Sequence, residues 1–476
     1  MNFQTSLLLV LSLWLLLAGC AKVGPDYVEP AQELPASWQA GADGRLRVDP
    51  PDPELLAEWW TLLGDPLLRD LIQQAIAGNL DLQQAKYRLT EARAQRDLSS
   101  ARLFPGVDFS GSVTRGRVGG TDSTRYSLGF DAAWELDLFG GVRRTVEAAE
   151  AQFAASREDL RDVLVTLAAE VALNYIDMRT FQARLQIANQ NLAAQEETYA
   201  LTEARYLAGL SSELALQQAR YLVSGTRTQI PNLQTGLART ENLLAVLLGR
   251  PPGSLDRRLL TLAPLPNLPP SVAVGIPADI LRRRPDIRRA ERNLAAQTAQ
   301  VGAAVADLYP SFTLGGSIGL DALSAGRLFN SGSRSSSFGP RVNLPIFDGG
   351  AIRANIQVQS SRQEAALAEY RATVLAALQE VEDSLTAYVR EQERNLSLRE
   401  SVEAARQASM LAEIQFQAGL VNFSEVLNAR GSLLSFEDQL AQSAGTMILN
   451  LIRLYKALGG GWMSILPEQA TTTEEL

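Results

Sequence analysis

Residues 125–138 alternate with a period of two. Tyr126, Leu128, Phe130, Ala132, Trp134, Leu136 and Leu138 fall on one side, and Arg125, Ser127, Gly129, Asp131, Ala133, Glu135 and Asp137 on the other. Such a pattern predicts a strand with one apolar and one largely polar face. It recurs over 107–115 (Val107, Phe109, Val113), 312–321 (Phe312, Leu314, Ile318, Leu320) and 338–347 (Phe338, Val342, Leu344, Ile346). Segments of about ten residues are the length a tilted strand needs to cross a bilayer. The Gly/Ser/Arg-rich stretches 115–124 and 321–337 between them are expected to be external loops.

The remaining pattern is helical and long. No proline occurs from about Val142 to Ala208 or from about Gly350 to Ala418, and each such span would be roughly 100 Å of continuous helix. In the first, Leu160, Leu164, Leu167, Val171, Asn174, Met178, Phe181, Leu185, Ala188 and Leu192 recur at spacings of four and three. In the second, Leu367, Val374, Val381 and Tyr388 repeat every seven, with Leu378 and Leu385 between them. That 3.5-residue period is the coiled-coil signal, and Asn174 reads as a polar register pin within the stripe. Each span stops at Ala-Gly-Leu, 208–210 or 418–420, before a second helix. Gly209 and Gly419 fit the C′ position, and Ser211 or Ser212, and Asn422 or Ser424, are candidate N-caps. The return helices are expected over about 212–248, with a kink at Pro231, and over about 423–458.

These features come twice and in the same order. Ala101–Pro105 matches Ala306–Pro310, Leu138–Gly141 matches Ile346–Gly350, and Ala204–Leu210 matches Ile414–Leu420, at offsets of 205, 208 and 210 residues. An internal duplication of about 200 residues follows. The expected organisation is a signal over 1–19, an arm over 20–53, a first repeat over 54–249, a Pro-rich connector over 250–276, a second repeat over 277–460 and a tail over 461–476.

Four membrane strands cannot close a barrel, because open edges would leave backbone groups unpaired in lipid. Two chains would give eight strands with a filled interior, whereas three would give twelve and a watery lumen. Arg125, Asp131, Glu135, Asp137 and Arg341 on the inner face require water, so the expected assembly is a homotrimer sharing one barrel.

The N-terminus changes the compartment. An apolar run from Leu7 to Leu17 ends in Leu17-Ala18-Gly19-Cys20, a lipobox that holds the only cysteine. The run is too short to span a bilayer and reads as a cleaved export signal with Cys20 as the lipid attachment site. Ala21, rather than Asp, favours sorting to the outer membrane. The chain has no histidine and its one cysteine is consumed by the lipid, so imidazole-based acid–base, His-based zinc and thiol redox chemistry are excluded by inventory. No Gly-rich phosphate loop and no metal-spaced acidic cluster occurs, and a net charge of −9 argues against nucleic acid. The expectation is a protein that is not an enzyme and carries no cofactor or metal.

Further motifs span the mature chain: Gly24-Pro25-Asp26-Tyr27, Trp59-Trp60 with Gly64-Asp65-Pro66, and Trp134-Glu135-Leu136-Asp137-Leu138-Phe139-Gly140. To these add Arg282-Arg283-Arg284-Pro285-Asp286-Ile287, Ala290-Glu291-Arg292 and Pro345-Ile346-Phe347-Asp348-Gly349-Gly350. With them the chain resembles the TolC-like outer-membrane factors, in the lipidated branch called the NodT family of RND efflux lipoproteins. The resemblance implies a membrane α+β fold: a homotrimeric twelve-stranded β-barrel continued by a long periplasmic α-helical barrel. It implies the exit duct of a tripartite pump, passing drugs or other small toxic compounds to the cell exterior. Its partners would be a periplasmic adaptor, an inner-membrane RND transporter and outer-membrane lipid. Tyr206, Gly209, Leu210, Phe416, Gly419, Leu420 and Val421 would then meet the adaptor and form the resting constriction. Some relatives carry an aspartate just past the second tip glycine; here no acid occurs until Glu425. The alternative is the outer-membrane channel of a type I, ABC-driven protein secretion system.

Overall fold

The computed structural model describes residues 22–39, 53–269, 274–275, 277–278 and 283–462. The export signal, Cys20 and the tail from residue 463 lie outside the described residues. In chain order the main elements are α1 (Pro66–Gly78), α2 (Leu80–Ala101), β1 (Gly106–Val118), β2 (Thr121–Leu136), α3 (Gly141–Leu207) and α4 (Glu213–Leu247). The second half continues with α5 (Pro285–Ala306), β3 (Ser311–Ala322), β4 (Arg334–Asn343), α6 (Ala351–Gln417) and α7 (Phe423–Ala457). The chain divides into two compact units. One holds the arm to Gln32, Lys86–Asp159 and Asp286–Thr373; the other holds Glu33–Ala85, Leu160–Pro285 and the chain from Val374.

In the first unit the four strands form one antiparallel sheet in the order β1-β2-β3-β4. The strand boundaries differ from the sequence reading at the β1–β2 hairpin, at the end of β2, which stops at Leu136 rather than Leu138, and along β4. The stretch 115–124 is not a loop: β1 and β2 pair to Val118↔Thr121 and turn through Gly119-Gly120 alone, both at positive φ, as a two-residue hairpin of matching twist requires. Arg115 and Arg117 obscured the alternation there by standing where apolar residues were expected. The last strand runs over 334–343 rather than 338–347. Leu344 and Ile346 continue the apolar alternation, but Pro345 between them has no N–H to donate, and the ladder stops at Asn343. Pro340 is tolerated because β4 is an edge strand.

In the second unit the heptads describe the core. Leu160, Leu164, Leu167, Val171 and Met178 are buried along α3, and Val374, Val381, Tyr388, Asn395, Val402 and Ser409 along α6. Asn174 is not the register pin: its amide donates to the carbonyl of Glu170 on its own helix. Two polar heptad positions of α6 are buried, Asn395 and Ser409, and Asn395, 3% exposed, is the one that bonds across to α7, donating to Ser443. Helix α4 runs unbroken through Pro231. Trp59 is fully buried and stacks on Tyr455 at 5.7 Å, with Trp60 edge-on to it. Gly64 at φ 65 ends the Trp59–Leu63 turn, and Asp65 then caps α1 by accepting from the N–H groups of Leu67 and Leu68. The Tyr175 hydroxyl donates to Asp65 at 2.6 Å, and burial and this bond push its pKa up to about 12. The sequence motif Trp-Trp…Gly-Asp-Pro is thus a packing and capping device. Among the described residues no helix is long and apolar enough to cross a membrane.

Candidate functional site

The register sorts the sheet into two faces. Phe109, Phe130 and Ile318 lie across neighbouring strands, as do Leu136, Phe312 and Val342. Val107, Phe109, Val113, Phe130, Ile318, Phe338 and Val342 are more than half exposed in the single chain, a large apolar surface that needs a cover. The opposite face is polar in rows: Glu135, Thr313 and Arg341 are paired across three strands, and Asp108, Asp131, Ser317 and Ser337 across four. Hydroxyls link this face, Ser112 to Ser127 and Ser317 to Ser337 at 2.8 Å, and Ser110 donates to Asp131 at 2.7 Å. Arg125 stands 3.5 Å from Asp321 near the hairpin end.

Of the expected inner-face residues, Arg125, Asp131, Glu135 and Arg341 share this face, and Asp137 does not. Strand β2 ends at Leu136, and the Asp137 carboxylate accepts from the backbone N–H groups of Val142 and Arg143 and from the Arg143 side chain. It caps α3, where a negative charge is favoured by the helix dipole. Asp348 does the same for α6, accepting from Gly350 and Ile352, and these two bonds hold its carboxyl below the usual range.

Both hairpin tips are built alike. Leu210 N–H donates to the Arg205 carbonyl at 2.8 Å and Gly209 N–H to Tyr206 at 2.9 Å; Leu420 and Gly419 repeat this onto Gln415 and Phe416. That is the Schellman pair of bonds, with φ of 72° and 73° at the glycines. Leu210 and Leu420 project, 70% and 75% exposed. Phe416 packs on Phe423 at 5.0 Å, with the Arg205 guanidinium over its ring at 4.9 Å. Tyr206 is partly exposed and Val421 half-buried. Among the candidate caps, Ser212 accepts from Ala215 N–H, whereas Asn422 occupies the cap position without a side-chain bond.

The profile of the outer membrane efflux protein family matches residues 71–250 and 276–460, both repeats. The chain belongs to that family. Nodulation protein T of Rhizobium leguminosarum bv. trifolii is 34% identical over 94% of this chain and 96% of its own. The toluene efflux pump outer membrane protein TtgC of Pseudomonas putida is also 34% identical, over 94% of each chain. The solved outer-membrane channel OprN is 37% identical and superimposes with a TM-score of 0.87, covering 93% of this chain and 99% of that one. This is therefore an efflux protein of the NodT type, with the fold of outer-membrane channels: four strands per chain for a β-barrel and long helices for a helical barrel.

One feature of this efflux protein was not legible in its sequence. The arm after the lipobox is clamped beside the strands by Arg144, 1% exposed. Its guanidinium donates to the carbonyls of Val23 and Gly24, to Asp26 and to Glu147, while Lys22 pairs with Glu147 at 2.9 Å. Val23 N–H donates to the Phe139 carbonyl just past β2. Gly24 sits so close to α5 that a Cβ there would lie 2.4 Å from Gly302 Cα. Tyr27 donates to Glu291 at 2.9 Å, and burial, then Glu291, push its hydroxyl pKa well up. The Gly-Pro-Asp-Tyr motif is thus the fastening of the arm. Once buried, an arginine has to find acids and carbonyls, but nothing in the sequence marks Arg144 as buried. Its partners lie about 120 residues away, beyond the reach of periodicity.

Proposed function

We propose that this protein is the exit duct of a tripartite RND-type efflux pump. It works as a homotrimer, receiving small toxic compounds from a periplasmic adaptor and an inner-membrane RND transporter. The observation that carries this reading is the sheet, apolar on its exposed face, polar in rows on the other, and open at both edge strands. In hydrocarbon an unpaired backbone group costs several kcal/mol, so the edges have to be closed by further copies. Twelve strands enclose water, which the row of Glu135, Thr313 and Arg341 demands; eight would have to fill their interior with these side chains. Arg125, Asp131, Glu135 and Arg341 line the lumen, with Asp137 at its inner mouth. The duct performs no chemistry.

Cys20 carries the lipid. The clamped position of Lys22, two residues on, supports an anchor in the leaflet next to the strand bases. Tyr206, Gly209, Leu210, Phe416, Gly419, Leu420 and Val421 form the adaptor contact and the resting gate. The exposed leucines and the lack of an acid between Gly419 and Glu425 support an apolar gate. Three copies of Val421→Asp would set like charges together and loosen closure; raised single-channel conductance and passive drug entry are expected, and unchanged values would refute this gate.

In-cell crosslinking from Leu210 and Leu420 tests the whole reading. Capture of an RND adaptor and pump is expected, whereas capture of an ABC transporter with its adaptor would move the duct to protein secretion.

A further inference from the structure

The outward face of the sheet changes character at its hairpin end. Along β1 it runs Val107, Phe109, Val113 and then Arg115 and Arg117, with Tyr126, Thr124 and Asp122 opposite on β2. From Leu136 to Tyr126 the apolar face covers roughly 33 Å of strand, about 25 Å along the membrane normal at the usual tilt, which is the height of an outer-membrane apolar band. The two arginines therefore occupy the first rows beyond the hydrocarbon. They stand at the end of the sheet remote from the strand–helix junctions, hence on the outer-leaflet side. Arg334, paired with Leu320, is on the same face of β4.

These cations are not balanced within the chain. The outward positions of the four strands hold three arginines and one carboxylate, Asp122. Arg115 and Arg117 share it at 3.9 and 3.6 Å, while their side chains stay 77% and 71% exposed. A cation on the lipid side of a barrel is costly unless an anion meets it. Guanidinium is the group that matches phosphate oxygens in bidentate fashion. Closure of the barrel sets β4 of one copy beside β1 of the next, which brings Arg334 to the same side of that seam.

We propose that Arg115, Arg117 and Arg334 form a binding surface for the phosphate-bearing headgroup of an outer-leaflet glycolipid. The inference rests on the barrel reading above. Continuity with the apolar band selects a lipid over a free anion, because acyl chains and phosphates are then engaged together.

Native mass spectrometry of the full-length trimer, released from a non-ionic detergent, tests it with bisphosphorylated lipid A and with lipid A stripped of both phosphates. The wild type is expected to retain the first and shed the second. Arg115→Gln/Arg117→Gln/Arg334→Gln should cut retention at least about tenfold, since each site loses its charge-assisted bonds. Asp122→Asn should raise retention, and it carries the test should the triple variant fail to assemble. Equal retention of the two lipids, an unchanged triple variant, an unchanged Asp122→Asn or full displacement by millimolar inorganic phosphate would overturn the proposal. Channel conductance of the same trimers reads the barrel independently: conducting trimers without lipid preference would sink this inference and leave the duct standing.

Discussion

Helices α3 and α6 are both 67 residues and α4 and α7 both 35, with starts 210 residues apart in each case. What they bury differs. Where α3 and α4 carry Leu185 and Leu233, α6 and α7 carry Asn395 and Ser443. Asn395 donates to Ser443 at 3.1 Å, Ser443 to Glu391, and Arg399 to Asn395 at 2.9 Å. The arm makes a similar choice: Arg144 holds it on the first repeat, and the position 210 residues on is Ala354. Element lengths are therefore common to the two copies, while buried hydrogen bonds distinguish them. A chain whose repeats were identical could dock its arm in two places and pair its hairpins in either order; these differences remove that ambiguity.

The largest effect is expected where the distinction rests on backbone proximity. Gly24→Ala would place a methyl 2.4 Å from Gly302 Cα at a residue with φ +83, costing about 2–4 kcal/mol in arm docking from steric overlap and the left-handed conformation together. Faster tryptic cleavage after Lys22 and a lower thermal midpoint are the readouts. An unchanged cleavage rate would mean the arm is held by something other than this contact.

Next comes the packing of α7. Gly445 is buried, and its counterpart in the first repeat is the exposed Thr235. A Cβ at 445 would lie 3.0 Å from Thr180 Cβ and closer still to its hydroxyl. Gly445→Thr, which imports the first repeat's residue, should destabilise by about 1–3 kcal/mol through overpacking. Thr235→Gly should cost no more than the roughly 1 kcal/mol of helix propensity. Equal effects in thermal unfolding would remove the asymmetry.

These pairs also mark how far the sequence could be read. The hairpins, their tip glycines and the four strands were legible because each is written in short-range periodicity or in a residue whose φ is special. The strand ends were less so: Arg115 and Arg117 broke the alternation that the ladder itself keeps, and Leu344 and Ile346 prolonged it past a proline. Asp137 fitted the polar parity of β2 but lies one residue beyond the strand, where a helix start needs an acceptor. Arg144 and Asn395 were silent, because their meaning depends on partners 48 to 121 residues distant.

The polar layer itself can be converted. Asn395→Leu leaves Ser443 and Arg399 without a partner they now have, and should cost about 1–3 kcal/mol, the penalty for unsatisfied buried groups. Adding Ser443→Ala should recover part of this, since removing both ends of a buried bond is milder than removing one. Additive losses in a double-mutant cycle would mean that the layer is not a coupled network.

The smallest effect belongs to a pair that both repeats keep with opposite sign. Arg227 on α4 pairs with Glu196 on α3 at 2.5 Å; 210 residues on, Glu437 pairs with Arg406 at 3.1 Å. The same two positions are joined, with the charges exchanged between the helices. Three of the four side chains are about half exposed or more, and Glu437 is 26% exposed, so solvent screens each pair to about 0.5 kcal/mol. Exchanging the charges in the first repeat, Glu196→Arg with Arg227→Glu, should therefore be neutral in thermal unfolding. Glu196→Arg alone should lower the midpoint slightly at low salt and recover at high salt, where like-charge repulsion is screened. If the exchange were as harmful as the single change, the polarity would matter for what the hairpin surface meets rather than for the hairpin itself. Loss of efflux with an unchanged melting profile would locate that recognition on this face of the first repeat.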